Sequence, residues 1–276
     1  MCIRDRIKTY QLLSIKSTKK LALKLFFTPI KYPTPEREIA HKSSLLVSRE
    51  KVNDKAITVY QQGQSDRKIL LVHGWSGRAS QFFRMGPALK DAGFKVYSFT
   101  APAHGTSTET QTHMLEITEC IKYLDGHHGP FEAIVSHSIG SAASLNAIKD
   151  GLAVKRAVLL GAPGSVELIV KGFCSRLGFN AKIEQFLIDH LKESYGEDFE
   201  QYSVTRLAST MTIPGLIIHD IDDHDVNIEE ARKNHSAWKN SQYLETKRLG
   251  HRLILSDESV INRIITVSYT HLTLPT

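Results

Sequence analysis

The run Ser136-His137-Ser138-Ile139-Gly140-Ser141 sets a hydroxyl between small residues two positions before and two positions after it. A sharp strand-to-helix turn that presents a serine Oγ needs that spacing, because bulk at either flank would collide with neighbouring elements. A serine hydroxyl is a poor nucleophile alone; it needs a base to take its proton and an acid to orient that base. Two later stretches carry such groups. One is His219-Asp220-Ile221-Asp222-Asp223-His224-Asp225-Val226, and the other is Leu249-Gly250-His251-Arg252. Each feature also has an ordinary reading. Serines at such junctions are often helix caps, Asp and His clustered on a loop are often solvated or hold a divalent cation, and a single His is usually structural.

The elements around these residues decide between the readings. Residues 44–48 and 56–61 alternate as two strands about the turn residues Asn53 and Asp54, a hairpin pattern. Residues 68–73 are a continuous apolar run, as in a strand buried on both faces of a parallel sheet. Helix and strand patterns then follow in turn: helix 81–91, strand 94–99, helix 113–124, strand 131–135, helix 139–149 and strand 154–160. After a gap come strand 213–219, helix 228–239, strand 242–246 and a closing helix over 253–265. This rhythm predicts an α/β fold with a mostly parallel central sheet, helices on both faces and an antiparallel edge from the hairpin. Ser138 falls between a strand and a helix, the Asp/His run follows a strand, and His251 lies between the last strand and the last helix. Residues 164–211 carry helical patterns and no strand, too long for a plain connection, so a helical cap over the Ser138 pocket is expected there.

On these residues the sequence resembles the α/β-hydrolase superfamily over roughly positions 44–265, as a serine hydrolase or esterase-like member with a small helical lid. Ser136 stands where the first glycine of the nucleophile elbow is usual. His73-Gly74-Trp75-Ser76-Gly77 resembles the family's HG-x segment, which implies an oxyanion hole from the backbone N–H groups of Trp75 and Ile139. Ala101-Pro102-Ala103-His104-Gly105-Thr106-Ser107 resembles a structural loop of the family, with Ala101 in place of its aspartate and Ala103 in place of a glycine. Setting His219 on the first residue of the family's H-G-x-x-D-x-x-V segment puts its acid on Asp223, with Asp222 and Asp225 as neighbouring alternatives and Asp220 at the usual glycine. The order Ser138, Asp223, His251 is the one this fold requires. The resemblance implies a triad of Ser138, Asp223 and His251 acting on a small-molecule ester or thioester, with no metal or organic cofactor. A serine at the elbow argues against the aspartate chemistry of related dehalogenases and epoxide hydrolases. Carbon-carbon bond hydrolysis and a slow binding protein or receptor of the same fold stay open.

The 276 residues, 41% of them hydrophobic, suffice for one large domain, expected over residues 36–266. Cys2, Cys120 and Cys174 are odd in number and far apart, which provides no disulfide framework and fits a reducing cytoplasm. Residues 1–55 hold 13 Lys and Arg against 5 Asp and Glu. The net charge of +6 therefore belongs to the N-terminal segment and offers no basis for a nucleic-acid partner in the body. Residues 7–31 set apolar side chains among six lysines and read as a basic amphipathic helix: docked on the domain, mobile, or lying at the inner membrane surface. A membrane-surface lipid hydrolase is the corresponding alternative function. Residues 1–6 and 267–276 resemble translated sequencing-adapter DNA and are expected to be foreign, the second replacing the last turn of the closing helix by a β-prone tail.

Overall fold

A computed structural model of the chain describes residues 3–269. Residues 1–2 and 270–276, most of the expected foreign ends, lie outside that range. Eight strands form one sheet: β1 Leu46–Val52, β2 Lys55–Gln62, β3 Lys68–Val72, β4 Lys95–Thr100, β5 Ala133–His137, β6 Arg156–Leu160, β7 Gly215–Asp220 and β8 Ser241–Thr246. Their spatial order is β1-β2-β4-β3-β5-β6-β7-β8. β1 and β2 pair antiparallel, as do β2 and β4, while every pair from β4 to β8 is parallel. The β1–β2 loop is Asn53-Asp54, both at positive φ (48° and 64°). Asn and Asp tolerate that conformation best among non-glycine residues, and it matches the twist of the strands it joins.

The helices are α1 Ile3–Leu13, α2 Ile15–Phe26, α3 Glu36–Lys42, α4 Met85–Asp91, α5 Met114–His128, α6 Ile139–Lys149, α7 Val166–Leu177, α8 Ala181–Tyr195, α9 Val204–Ala208, α10 Ile228–Ala237, α11 Gly250–Leu253 and α12 Glu258–Tyr269. Every residue of β5, β6 and β7 is buried, because helices cover both faces. On one face Ile117, Leu145, Leu207 and Trp238 join the sheet's inward side chains. On the other, Phe82, Leu89, Ile261 and Ile264 do so.

The predicted helix over 253–265 is two helices, the short α11 and then α12. α12 runs past Thr266 to Tyr269, with Val267 and Ser268 buried, so residues 267–269 continue the helix where a β-prone tail was expected. The insertion between β6 and β7 is helical, as its pattern implied, with α7, α8 and α9 and a 3₁₀ turn over Phe199–Tyr202.

The N-terminal segment is broken. Ser14 separates α1 from α2, and its hydroxyl caps α2 by accepting from the Ser17 N–H at 3.3 Å. The apolar stripe of α2 faces the insertion: Ala22 is buried in a third cluster with Ile7, Val170, Ile183 and Leu187. Residues 7–31 are therefore largely a layer laid on α7 and α8. Among the described residues, no helix is long and apolar enough to cross a membrane.

Candidate active site

β5 ends at His137 and α6 begins at Ile139, leaving one residue to turn the chain. That residue, Ser138, has φ 53° and ψ −129°. A non-glycine residue in such a region costs about 1–3 kcal/mol and persists only where its surroundings hold it. The Ser138 N–H donates to the Leu160 carbonyl of β6 at 2.9 Å, and the Ser138 carbonyl accepts from Ser141 N–H at 2.9 Å. Two glycines pack against this turn with no space for a side chain. A Cβ at Gly140 would meet the His73 carbonyl oxygen at 2.6 Å, and one at Gly74 would meet Ser138 Cβ at 2.7 Å. Ser136 fits at the elbow's usual glycine because its buried hydroxyl donates to the Val158 carbonyl at 3.3 Å.

The acid-bearing loop follows β7. Asp223 Oδ2 lies 2.7 Å from His251 Nδ1, while Asp223 Oδ1 accepts from the N–H groups of Asp225 and Val226 at 2.8 and 2.9 Å. Burial alone would raise the Asp223 carboxyl, but the hydrogen bond and charge of His251 and the two backbone donors outweigh it, holding it below the ordinary carboxylate range. An ionised Asp223 accepts only, so His251 carries a proton on Nδ1, and the lone pair of its neutral form lies on Nε2. Asp222 and Asp225 are exposed: Asp222 accepts from the Arg248 N–H at 2.8 Å, and Asp225, among the residues lining the cavity, pairs with Arg176 of α7 at 2.6 Å. Of the three neighbouring aspartates, Asp223 is the one that meets His251.

Two residues within the motifs, to which the sequence assigned no role, support this arrangement. Asp220, at the position where glycine is usual, accepts from Gly250 N–H, Leu249 N–H, Asp222 N–H and the Thr246 hydroxyl at 2.7 to 3.1 Å, pinning the His251 loop to β7. His137, the residue before Ser138, holds the backbone of His251 through a 2.7 Å hydrogen bond from Nε2–H to its carbonyl. Burial, with the charge of His251, pushes His137 down to about 3, so it stays neutral. His219 is also structural, donating from Nε2 to the Val226 carbonyl at 2.9 Å.

The peptide joining Gly74 to Trp75 is oriented by its oxygen. The Gly74 carbonyl accepts from Gly77 N–H at 3.0 Å and from His73 Nδ1–H at 2.8 Å. The tautomer of His73 follows from its other nitrogen, which accepts from Ala101 N–H at 3.1 Å. A trans peptide points its N–H opposite its C=O, so fixing the Gly74 oxygen fixes the direction of the Trp75 N–H. Ile139 opens α6, where its N–H has no partner within the helix. Trp75, Ser138, Ile139 and His251 line one cavity of about 880 Å³. The Ser138 hydroxyl has no hydrogen-bond partner among the described residues; such contacts often tighten only when substrate binds. Among the described residues no cluster of His, Cys, Asp or Glu fits a metal ion, the ordinary reading of the Asp/His run.

Much of the cavity's apolar wall comes from the insertion and the N-terminal segment. The insertion supplies Ile169, Phe173, Leu177 and Leu191 from α7 and α8. The N-terminal segment supplies Phe26, Phe27 and Ile30, which the sequence pattern did not associate with the site.

None of the curated proteins compared with the chain matches it. The alpha/beta hydrolase family matches residues 69–195, the stretch holding Gly74, Ser138 and most of the insertion. Among solved structures, an esterase from Pyrococcus furiosus superposes with a TM-score of 0.66 at 17% identity, covering 87% of this chain and 97% of that one. A thioesterase domain from the curacin biosynthetic pathway superposes at 0.61 and 11% identity, covering 82% and 100%. A bromoperoxidase from Bacillus anthracis does so at 0.60 and 18% identity, covering 81% and 99%. Likeness at these identities concerns the fold, and these three names span different chemistries. The sheet order and the strained serine turn agree with these likenesses: the chain has the α/β-hydrolase fold, and its residues 69–195 match the alpha/beta hydrolase family.

Proposed function

We propose that this chain is a serine hydrolase that cleaves a carboxylic ester or thioester with a hydrophobic acyl or alkyl part through an acyl-Ser138 intermediate. The reading is carried by the convergence on one cavity of Ser138, of His251 with a free Nε2, and of the two backbone N–H groups of Trp75 and Ile139. Ser138 Oγ attacks the substrate carbonyl carbon as its proton passes to His251 Nε2, and Asp223 holds the imidazole and offsets its positive charge. The electron pair displaced onto the carbonyl oxygen meets the Trp75 and Ile139 N–H groups. Losing one such donor typically costs about 10²- to 10³-fold in rate. Collapse of the intermediate releases an alcohol or thiol, protonated by His251. Water then gives a proton to the same nitrogen and attacks the acyl carbon, freeing the acid and Ser138. The esterase and thioesterase among the structural relatives suit this chemistry, and α7 and α8 serve as the lid.

The test is a hydrolysis screen over p-nitrophenyl esters and acyl thioesters, with Ser138→Ala as the blank. Many turnovers per molecule in the parent and none in the variant are expected. Equal rates in both would remove Ser138 from the chemistry.

One observation favours a second reading, action at a membrane surface. Leu12 and Leu13 at the α1–α2 break are 88% and 78% exposed, and Lys8, Lys16 and Lys20 around them are exposed too. Co-sedimentation with anionic vesicles should then fall in Leu12→Ser/Leu13→Ser; equal pelleting of parent and variant would discard this reading.

A further inference from the structure

We propose that the N-terminal segment from Leu25 to Pro35 is one wall of the acyl site and that it selects a medium or long acyl chain; this rests on the serine-hydrolase reading of the cavity.

α2 splits its apolar residues between two tasks. Leu21, Ala22 and Leu23 pack into the layer with α7 and α8, and do not reach the cavity. Leu25, Phe26 and the following Phe27 do reach it, as do Ile30, Pro33 and Pro35 beyond the helix. Phe26 meets Phe173 of α7 edge to face with ring centres 5.1 Å apart, so segment and insertion join where both line the cavity. The basic amphipathic pattern of residues 7–31 thus conceals a functional division. The turns before Leu25 hold the segment down, and the residues after it line the cavity that contains Ser138.

The segment is docked on the loop that carries Trp75. Ile30 N–H donates to Ser76 Oγ at 2.9 Å, one residue beyond Trp75. Phe27 accepts from Thr112 N–H at 3.0 Å, and Lys31 Nζ donates to the Ser107 and Glu109 carbonyls at 2.6 and 2.9 Å. Just past it, Glu38 is buried and receives a bidentate pair from Arg78 at 2.7 and 3.0 Å and a bond from the Ser80 hydroxyl at 2.8 Å. Held at both ends, these residues form a fixed wall.

A cavity of about 880 Å³ lies in the upper part of the usual range for small-molecule sites, about 300–1,000 Å³. An acetyl or butyryl group would leave most of it unfilled. Each further methylene placed against these apolar walls should raise kcat/KM roughly fourfold, until the chain meets Phe27 and Ile30.

The test uses the full chain, with p-nitrophenyl esters from acetyl to palmitoyl and, in a Ser138→Ala background, calorimetric binding of dodecanoate. Phe27→Ala should move the preferred acyl length upward. Ile30→Trp should lower the ratio of long-chain to short-chain kcat/KM at least tenfold and weaken dodecanoate binding at least tenfold. Leu23→Ala, on the same helix but away from the cavity, should lower thermal stability and leave both the length profile and dodecanoate binding as they are. If Phe27→Ala and Ile30→Trp leave profile and binding unchanged, or Leu23→Ala alters them equally, the segment is not the acyl wall. If no ester is cleaved by any chain while dodecanoate binding responds to Ile30→Trp, the hydrolase reading fails and the wall stands.

Discussion

His137 and His251 are joined by a 2.7 Å hydrogen bond from the Nε2–H of the first to the main-chain carbonyl of the second. Their rings are 4.6 Å apart. The residue that precedes Ser138 therefore holds the backbone of the residue proposed to activate Ser138, and the two ends of the proton transfer cannot drift independently. His137→Ala should lower kcat by about 10- to 100-fold, the usual effect of a misplacement on the order of 1 Å at a reacting group. Steady-state kinetics on an activated ester checks this, with circular dichroism to establish folding. A folded variant with kcat within twofold of the parent would show that the contact does not position His251.

The loop after β7 separates three aspartates by role. Asp223→Asn should leave the fold intact and lower kcat by as much as about 10⁴-fold, because His251 loses its counter-charge and its preferred tautomer. Asp222→Asn and Asp225→Asn should stay within a few-fold of the parent. The Asp225–Arg176 pair is largely exposed, and such pairs contribute about 0.2–1 kcal/mol. Asp220→Ala should act differently again, lowering thermal stability as well as kcat, since it leaves the Leu249 and Gly250 N–H groups of the His251 loop, the Asp222 N–H and the Thr246 hydroxyl of β8 without their acceptor. A crippled Asp225→Asn beside an active Asp223→Asn would reverse the assignment.

Much of this was legible in the sequence, for identifiable reasons. β5, β6 and β7 read as strands because sheets covered on both faces demand unbroken apolar runs, and the β-α rhythm dictated their parallel order. Ser138 was legible because its turn imposes size limits two residues to either side. Other features depend on contacts that no local pattern encodes. His137 occupies a position where the elbow motif specifies nothing, and its partner is more than a hundred residues away. Asp220 reads as a departure from a glycine until β7 and the His251 loop are seen side by side. An amphipathic pattern shows that residues 7–31 have an apolar face, without saying that the domain's own insertion covers it.

Acid should weaken the fold in a window set by buried histidines. Burial pushes His73 and His137 down to about 3 and His104 to about 4, against 6.5 for the side chain in the unfolded chain. Between those values the unfolded state binds more protons than the folded one, so unfolding free energy increases with pH. These three contributions are complete above about pH 6.5 and are lost as pH falls from there toward 4. Asp220 and Asp223, held below their ordinary value, add a second loss only as pH falls below about 4. Urea midpoints at pH 7.5, 6 and 5 should decline steadily. A constant midpoint across that range would contradict the neutral buried state of these histidines.

The most direct test of the central claim is covalent labelling by a fluorophosphonate probe, with the modified peptide mapped by mass spectrometry. The Oγ of a serine activated by His251 displaces fluoride from phosphorus and becomes phosphonylated, whereas a capping or structural serine stays unmodified. The account predicts one label per chain, on Ser138, and labelling slowed by orders of magnitude in His251→Gln and Asp223→Asn. Modification of Ser136 or Ser141, or labelling of Ser138 that is equally fast without His251, would contradict it.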